Sequence, residues 1–358
     1  MNIASLELLN FRNYEKQSLT FDPGTNLLWG DNAQGKTNVL EALYLCGTTR
    51  SHRGAKDRDM IRLGAEEGHI RMTVLRNGIP DRIDMHLRRS KAKGIAVNGQ
   101  PIRRAADLFG LTAMVFFSPE DLNMIKNGPV ERRRFIDREL SQLNRIYLSD
   151  LTRYQKCLQQ RNHLLREMSF RQDRENELEV WDEQLILCGE KVIDGRQAFI
   201  EELQDIVRDC HRHLTGGRET IDLIYEPSCA AGQMKEGLRK SLASDRKLQT
   251  TQVGPHRDDM AVMINGMDAR LFGSQGQQRT AALSLKLSEI ALVRKNRRET
   301  PVLLLDDVLS ELDESRQDYL LDGIRETQTF ITCTGIDEIT RSHFRIDKSF
   351  HIRSGGIE

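Results

Sequence analysis

The strongest chemical signal in the sequence is a glycine-rich segment with the spacing GxxxxGK[ST]. It consists of Gly30, Asp31, Asn32, Ala33, Gln34, Gly35, Lys36 and Thr37. An apolar run precedes it and an amphipathic pattern follows, which predicts the strand–loop–helix order of a phosphate-binding loop. In such a loop, backbone N–H groups surround nucleotide phosphates at a helix N-terminus. We therefore expect Lys36 to contact the β- and γ-phosphates of ATP, and the Thr37 hydroxyl to bind Mg²⁺.

Two adjacent carboxylates follow a predicted buried strand later in the sequence. The strand is the apolar run Val302–Leu305, and Asp306 and Asp307 come directly after it. A phosphate-binding loop needs such an acid as a second Mg²⁺ partner, so we expect Asp306 to hold the metal through water. We expect Asp307 to polarise the attacking water. The simpler alternative, a helix cap after a core strand, is weakened by the phosphate-binding loop in the same chain.

A third segment, Ser274–Thr280, opens a long predicted helix with a serine and a glycine. A hydroxyl, free N–H groups and the positive end of the helix dipole suit an anion. On its own this is a capped helix, but it precedes the carboxylate pair and resembles the signature motif of ABC-type ATPases. The resemblance implies that Ser274 and Gln277 contact a nucleotide bound to a second copy of the chain, with Ser274 at its γ-phosphate. Ser310–Asp313 resembles the D-loop of the same dimer interface.

Segments spread over the whole sequence resemble, in the same order, the RecF family of bacterial recombination mediators, which is related to the heads of SMC proteins. They are Asn10–Tyr14, Gly30–Thr37, Phe117–Asp121, Val253–Asp259, Ser274–Thr280 and Leu303–Asp313. The resemblance implies a monomer that dimerises around ATP, binds DNA, and acts with RecO and RecR in loading RecA at gaps. It also implies roles in replication restart and SOS induction. As in SMC-like heads, Arg12 would reach the nucleotide phosphates; the alternative is a surface residue in a turn.

Departures from the wider ABC pattern predict slow hydrolysis. Gln275 stands where ABC transporters have glycine, and Asp307 stands where they have a catalytic glutamate. No histidine follows the predicted strand Thr329–Cys333 at the usual switch position, and no clear Q-loop glutamine follows Phe117. Because aspartate is one methylene shorter than glutamate, Asp307 would lie farther from an attacking water, and we expect turnover below about 1 s⁻¹.

The elements that must position these residues predict an α/β fold. The first third of the chain is rich in short strands, the middle third is helical, and the last third returns to alternating helices and strands. We therefore predict an ABC-type P-loop ATPase head, a mixed sheet with helices, that carries an inserted helical hairpin subdomain. The predicted head comprises residues 1–118 and 216–358, and the predicted insert comprises residues 119–215. Asn77-Gly78 and Asn98-Gly99 are predicted hairpin turns.

Within the insert, two apolar series with alternating spacings of three and four predict an antiparallel pair of helices. Arg161 interrupts the first series and Gly195 interrupts the second, and the polar stretch Ser169–Asn176 is the predicted reversal. Each arm would span roughly 25 to 40 residues, or about 40 to 60 Å. The alternative is two ordinary amphipathic helices packed on a globular core.

Charge is distributed unevenly although the net charge is zero, with 53 basic and 53 acidic residues. Clustered cations can bind a phosphate backbone in a chain with no net charge. The candidates for DNA binding are Arg50, Arg53, Lys56, Arg88, Arg89, Lys91 and Lys93. We find no base-reading motif in the sequence, so binding should be independent of DNA sequence. The alternative is a solvated charged face.

Composition excludes several other classes of protein. Apolar residues make up 38% of the chain and recur to both ends, which is typical of a folded protein. The longest apolar runs are far shorter than the roughly 20 residues of a membrane span, and Glu7 and Arg12 argue against a signal peptide. We therefore expect a cytoplasmic, nucleoid-associated protein with no membrane partner. The six cysteines form no CxxC pair, so neither a zinc site nor a disulfide framework is predicted.

Two alternative functions remain open at this point. One is the nucleotide-binding subunit of a membrane transporter, which should show a switch histidine and a closer LSGGQ match. The other is a P-loop kinase or GTPase, and a GTPase would need an NKxD-type base reader, which we do not find in the sequence.

Overall fold

The computed structural model describes residues 1–103, 107–108, 110–168, 174–308, 316–317, 319–320, 327–335 and 345–357. The chain divides into two compact units. The first, which we name the head unit, consists of Met1–Asp121 and Glu289–Glu358. The second, which we name the arm unit, is the continuous segment Leu122–Ser288.

Strands and helices alternate along the chain. The strands are β1 (Asn2–Phe11), β2 (Tyr14–Thr20), β3 (Thr25–Trp29), β4 (Glu67–Arg76), β5 (Ile79–Arg88), β6 (Gly94–Val97), β7 (Gln100–Pro101), β8 (Met114–Phe117), β9 (Ile221–Glu226), β10 (Asp259–Ile264), β11 (Met267–Asp268), β12 (Val302–Asp306), β13 (Thr329–Cys333), β14 (Lys348–Arg353) and β15 (Gly356–Ile357). The helices are α1 (Lys36–Thr48), α2 (Asn123–Lys126), α3 (Pro129–Leu143), α4 (Arg145–Glu167), α5 (Glu175–Thr215), α6 (Met234–Leu248), α7 (Ala269–Phe272) and α8 (Gln275–Arg297). Among the described residues, no helix is long and apolar enough to cross a membrane. No disulfide bond joins the six cysteines, all of which lie among the described residues.

The first sheet of the head unit is antiparallel, with the strand order β2-β1-β4-β5-β6-β7. Asn77-Gly78 joins β4 to β5, and Asn98-Gly99 joins β6 to β7. All four turn residues have positive φ, between 49° and 82°, which is the conformation that a two-residue hairpin turn requires. Both predicted turns are confirmed.

The second sheet carries the predicted phosphate-binding loop and has the order β15-β14-β3-β13-β12-β8. Its five longer strands are parallel, and β15 pairs antiparallel with β14. All five residues of β12 are buried, which explains its continuous apolar run, since parallel strands are covered on both faces. The sequence analysis missed β14, because only Phe350 and Ile352 are buried apolar residues within it.

Helix α1 fixes the end of the phosphate-binding loop within the head unit. It packs against β4 and β5 of the first sheet and against β8, β12 and β13 of the second. Leu40 and Leu43 of α1 share one hydrophobic core with Leu6, Leu304 and Phe330. This two-sided burial explains why α1 is apolar around most of its circumference.

The arm unit contains the predicted antiparallel pair, formed by α4 with 23 residues and α5 with 41 residues. The two residues that interrupt the apolar pattern, Arg161 and Gly195, both lie where α4 and α5 pack together. A Cβ atom on Gly195 would lie 2.8 Å from the Tyr147 ring, so only glycine admits that ring. Arg161 is fully buried and pairs with Asp182 at 2.5 Å and with Asp245 at 2.7 Å. The predicted reversal around residues 169–173 lies outside the described residues.

The division of the chain differs from the predicted domains at residues 216–288. These residues were assigned to the head, but they belong to the arm unit. The reason is packing: β9 and α6 contact α5, and β10 contacts α3. The local sequence patterns of β9 and β10 carry no information about which core receives these strands.

Ion pairs between the segment Val253–Asp259 and the helices α3 and α5 also hold this part of the chain in the arm unit. Arg132 of α3 donates two hydrogen bonds of 2.7 Å to the Asp259 carboxylate. Arg196 of α5, which is almost fully buried, donates to Asp258 Oδ2 at 3.1 Å. Buried charges persist only when they are paired in this way, so the segment acts as a structural junction of the arm unit.

Candidate nucleotide site

The predicted phosphate-binding loop has a backbone that favours glycine at two positions. Gly30 has φ 143° and Gly35 has φ 119°. A Cβ atom on Gly30 would also lie 2.3 Å from the carbonyl oxygen of Ile352. Asp31, Asn32 and Ala33 are exposed in the loop. Within the described residues, no side chain caps the first turn of α1. The N–H groups at this end of the helix can therefore donate hydrogen bonds to an anion.

The Lys36 ammonium group lies inside this loop and is almost fully buried. Its Nζ donates to the carbonyl oxygens of Gly30 at 2.5 Å and Asp31 at 2.9 Å. These contacts hold a positive charge inside the loop, and the contact of Lys36 with the β- and γ-phosphates stays a prediction.

Two hydroxyl side chains from separate parts of the head unit meet at the buried carboxylate of Asp306. Thr37 at the start of α1 and Thr332 of β13 each donate a hydrogen bond of 2.8 Å to Asp306 Oδ1. Burial raises the pKa of Asp306 above its ordinary value, although both hydroxyls and the charge of Arg53 act in the opposite direction. Hydroxyl and carboxylate oxygens are the hard donors that Mg²⁺ prefers, so the set fits this ion.

Thr332 is a site residue that the sequence analysis did not identify. Its hydroxyl donates to Asp306 and accepts a hydrogen bond of 3.0 Å from the Asp307 backbone N–H. Thr332 pairs directly with Asp306 across the parallel strands β13 and β12. The register of β13 against β12 is therefore what identifies Thr332 as a site residue, and sequence spacing alone does not reveal this register.

Asp307 itself has φ 55°, in the left-handed region. Aspartate tolerates this conformation better than most residues, at some cost in backbone strain. Strand β12 ends at Asp306, directly before this left-handed residue, and the separate roles expected of the two carboxylates stay predictions.

Two neighbouring turns hold the loop from outside. Asn13 of the β1–β2 turn donates to the Gln34 carbonyl oxygen at 2.7 Å. In the β14–β15 turn, the backbone N–H of Ser354 donates to Gln34 Oε1 at 2.6 Å, and that of Gly355 donates to the Gln34 carbonyl oxygen at 3.1 Å. Gln34 therefore anchors the loop to the rest of the head unit.

Arg12 contacts a different group from the one predicted. Its Nε and Nη2 donate to the Glu41 carboxylate at 2.7 and 2.8 Å, and its Nη1 donates to the Asp59 carbonyl oxygen at 2.9 Å. Burial alone would raise the pKa of Glu41, but hydrogen bonds from Arg12 and Ser51 lower it below its ordinary value. The observed contacts place Arg12 in a structural ion pair with α1, and its contact with phosphate stays a prediction.

The predicted signature segment forms a capping box at the start of α8. The Ser274 backbone N–H donates to Gln277 Oε1 at 2.9 Å, and the Gln277 backbone N–H donates to Ser274 Oγ at 3.2 Å. Gln277 also donates from Nε2 to Glu219 Oε1 at 3.0 Å. The Gln277 amide therefore contacts protein groups, and its predicted nucleotide contact is not among them. The D-loop-like segment 310–313 lies outside the described residues.

The residues predicted to bind DNA come from two stretches of the chain, residues 50–56 and residues 88–93. Lys93 links these two stretches within the head unit. Its Nζ donates to the Thr49 carbonyl oxygen at 2.6 Å and to Asp57 Oδ1 at 2.7 Å. The side chain is 19% exposed. Lys93 is thus used inside the protein, which makes it a poorer candidate for DNA contact than its neighbours.

The other basic candidates differ in exposure. Arg88 is half-buried, whereas the exposed members are Arg50, Arg53, Lys56, Arg89 and Lys91. Arg53 is also close enough to Asp306 to lower the pKa of its carboxyl group, so it influences the candidate metal site. Contact of this surface with DNA stays a prediction.

Comparisons with known proteins agree with this fold. The family model described as "RecF/RecN/SMC N terminal domain" matches residues 2–352. A curated relative from Agathobacter rectalis, named DNA replication and repair protein RecF, is 57% identical over 358 residues, which cover 100% of this chain and 99% of the relative. A solved structure of the recombination mediator protein RecF with ATP in the RecFOR pathway is 37% identical, with a TM-score of 0.93, and the match covers 100% of this chain and 97% of that chain.

A more distant structure resembles this chain in fold alone. It is an SMC head bound to the winged-helix domain of ScpA, with 15% identity, a TM-score of 0.58, and coverage of 100% of this chain and 96% of that chain. The match to the RecF structure, together with this likeness in fold and the family match, confirms the predicted head fold. The full-length family match and the 57% identity establish that the chain belongs to the RecF/RecN/SMC N-terminal domain family and, within it, to the RecF group.

Proposed function

We propose that this chain is a Mg²⁺-dependent ATPase that dimerises with ATP, binds DNA without sequence preference and mediates recombinational DNA repair. The observation that carries the proposal is the cluster at Asp306, where Thr37 of the loop and Thr332 of β13 converge at 2.8 Å. The names of its relatives, which refer to DNA replication and repair and to a recombination mediator, favour this function. RecO and RecR are then the expected partners, with RecA loading, replication restart and SOS induction as the outcome, in the cytoplasm at the nucleoid.

Each residue of the head site has a defined task in this proposal. Lys36 compensates the charge of the β- and γ-phosphates, and Thr37 and Asp306 hold Mg²⁺, Asp306 through water. When bound, Mg²⁺ neutralises phosphate charge and fixes the orientation of the phosphate oxygens. Asp307 accepts a proton from the attacking water. A short side chain in this position supports slow turnover, which suits a switch that persists until hydrolysis opens it.

The second part of the site comes from another copy of the chain. Ser274 is exposed at the start of α8, and its hydroxyl oxygen accepts the Gln277 N–H. The hydroxyl proton can therefore be donated to a phosphate oxygen. A composite site of this kind makes dimerisation depend on the γ-phosphate, because only ATP presents that group. Family membership favours this function over a transporter subunit or a metabolic P-loop kinase or GTPase.

The first prediction separates ATP binding from dimerisation. Replacing Lys36 by methionine should weaken ATP binding about 100-fold, because hydrogen bonds to charged groups contribute up to about 3 kcal/mol. Replacing Ser274 by arginine should leave ATP binding unchanged and abolish the dimer, since a bulky cation would stand at the surface that meets the second copy. Binding of a fluorescent ATP analogue and mass by light scattering, with ATP, ADP or no nucleotide, measure both effects.

A matched control for the serine variant is Ser18→Arg, which places the same side chain at an exposed position of β2. This control should dimerise with ATP like the wild type. Normal dimers of Ser274→Arg, or wild-type dimers that form equally with ADP, would contradict the composite site.

The second prediction separates the two carboxylates. Asp307→Asn should keep ATP binding, reduce single-turnover hydrolysis by roughly 100-fold or more, as expected for loss of a general base, and prolong the dimer. Asp306→Asn should in addition raise the Mg²⁺ concentration needed for half-maximal hydrolysis, because an amide oxygen is a weaker ligand for this ion. Rapid-quench hydrolysis at several Mg²⁺ concentrations, together with dimer lifetime, measures these effects. Wild-type turnover on the order of 100 s⁻¹, or normal hydrolysis by Asp307→Asn, would remove Asp307 from this role.

The third prediction concerns the exposed cations of the head unit. Changing Arg50, Lys56 and Lys91 together to glutamate should weaken binding to all DNA sequences alike. It should also flatten the dependence of log affinity on log salt by roughly 0.9 per lost duplex phosphate contact. Fluorescence anisotropy with duplexes of unrelated sequence, over a series of salt concentrations, measures both quantities.

Its control carries the same change in charge on exposed residues of α6. The control residues are Lys235, Lys240 and Lys247. This variant should bind DNA with nearly the wild-type salt dependence. If the two triple variants lose affinity equally, the head surface has no special role and only net charge matters.

A further inference from the structure

The amide group of Gln277 is held at both ends within the arm unit. Its Oε1 accepts the Ser274 backbone N–H at 2.9 Å, and its Nε2 donates to Glu219 Oε1 at 3.0 Å. An amide can satisfy both partners in only one orientation, because oxygen accepts and nitrogen donates. Glu219 therefore determines which end of Gln277 faces Ser274.

Glu219 lies between the end of α5 and the start of β9, outside the signature segment. Its second carboxylate oxygen, Oε2, is 3.6 Å from Nε2 of His211 in α5. His211 is fully buried, and its Nδ1 is 2.9 Å from the Ser284 hydroxyl of α8. Within the described residues, His211 Nε2 has no hydrogen-bond partner, and the Glu219 carboxylate lies 3.6 Å from it. The α5 helix and the signature segment thus share one polar network.

We propose that Glu219 is a positioning residue for the signature segment. Glu219 fixes Gln277, and Gln277 in turn caps the Ser274 backbone and holds the hydroxyl of Ser274 at the N-terminus of α8. His211 links the same carboxylate to α5, the long helix of the arm unit. This role rests on the proposed function, in which Ser274 completes the ATP site of a second copy.

The substitution that tests this role is Glu219→Ala. Loss of one helix-capping interaction typically changes an equilibrium about fivefold, and a symmetric dimer contains two signature segments. The ATP-driven dimer should therefore dissociate about 30-fold more readily, whereas the ATP affinity of the monomer should stay unchanged. Glu219→Gln retains an acceptor oxygen for Gln277 Nε2 and should restore most of the dimer affinity. Glu226→Ala removes an exposed carboxylate of β9 and should have no effect.

A second measurement keeps the test independent of dimerisation. Amide hydrogen exchange of residues 274–278, without nucleotide, should be about fivefold faster in Glu219→Ala and nearly unchanged in Glu219→Gln and Glu226→Ala. If wild-type protein fails to dimerise with ATP, the proposed function fails, and the exchange data still decide the role of Glu219. Wild-type exchange in Glu219→Ala would overturn the inference, and so would wild-type dimer affinity in that variant when the wild type itself dimerises.

A second inference arises from a cluster on the antiparallel sheet of the head unit. His69 of β4 and His86 of β5 are direct cross-strand partners, and their rings stack with centroids 4.1 Å apart. Glu67 lies two residues before His69 and therefore on the same face of the sheet. One of its carboxylate oxygens is 2.7 Å from His86 Nε2. Ligand atoms of all three side chains lie within 4.8 Å of one another.

The donor set has the chemistry of a zinc site. Two imidazoles and one carboxylate are typical ligands of Zn²⁺, with open positions left for water. Zn–ligand distances of about 2.0–2.2 Å place tetrahedral ligand atoms about 3.3 Å apart. Small rotations of these partly exposed side chains would bring them to that separation, while the paired strands hold the backbone.

We propose that Glu67, His69 and His86 bind a divalent transition-metal ion of the Zn²⁺ type. Calorimetric titration with Zn²⁺ should give a Kd of about 1–10 µM. Titration with Co²⁺ should give the visible absorption of a low-coordinate site. His69→Phe and His86→Phe should each weaken binding by at least about 100-fold, beyond the 10–100-fold loss typical of an outer-shell partner.

The control is His213→Phe, which removes an exposed histidine of α5 and should bind Zn²⁺ like the wild type. Circular dichroism establishes that each variant is folded before titration. Equal binding by the His69 and His213 variants would overturn the proposal. Absence of saturable Zn²⁺ binding in the wild type would overturn it as well.

Discussion

One buried carboxylate constrains the three elements on which nucleotide chemistry depends. Asp306 ends β12 and accepts hydrogen bonds from Thr37 at the start of α1 and from Thr332 of β13. A buried carboxylate without partners costs several kcal/mol, so α1, β12 and β13 must keep the arrangement that supplies them. The same burial raises the pKa of Asp306, and a bound cation would favour its charged form. The candidate metal site and the packing of the head unit therefore depend on the same carboxylate.

Several residues that a motif would assign to a ligand are used inside the protein. Arg12 pairs with Glu41 of α1, Gln277 is held by Glu219, and Lys93 joins two basic stretches. Each of these contacts gives a polar side chain a defined partner and geometry. Motif type thus identifies the location of a site, whereas the neighbouring side chains determine which members remain available to a ligand.

The features predicted correctly are those set by neighbours in sequence. Asn77-Gly78 predicts a hairpin because both residues tolerate positive φ, and the loop before α1 is recognisable because strand, glycines and helix are contiguous. Thr332 was missed because its role depends on strand register. Arg161 looked like an interruption because its partners, Asp182 and Asp245, lie in other helices. The domain boundary was misplaced for the same reason, since burial against α3 and α5 is a property of the folded chain.

The central strand of the nucleotide-binding sheet has partners that are synthesised very late. β3 pairs with β13 and β14, and at roughly 5–20 residues per second the intervening segment of about 300 residues takes on the order of 15 to 60 s to make. The arm unit is one continuous segment and is complete before those strands emerge. During this interval β3 and the loop after it lack the sheet that holds them. The loop after β3 therefore lacks both its supporting sheet and the Asp306 carboxylate until the last part of the chain is made.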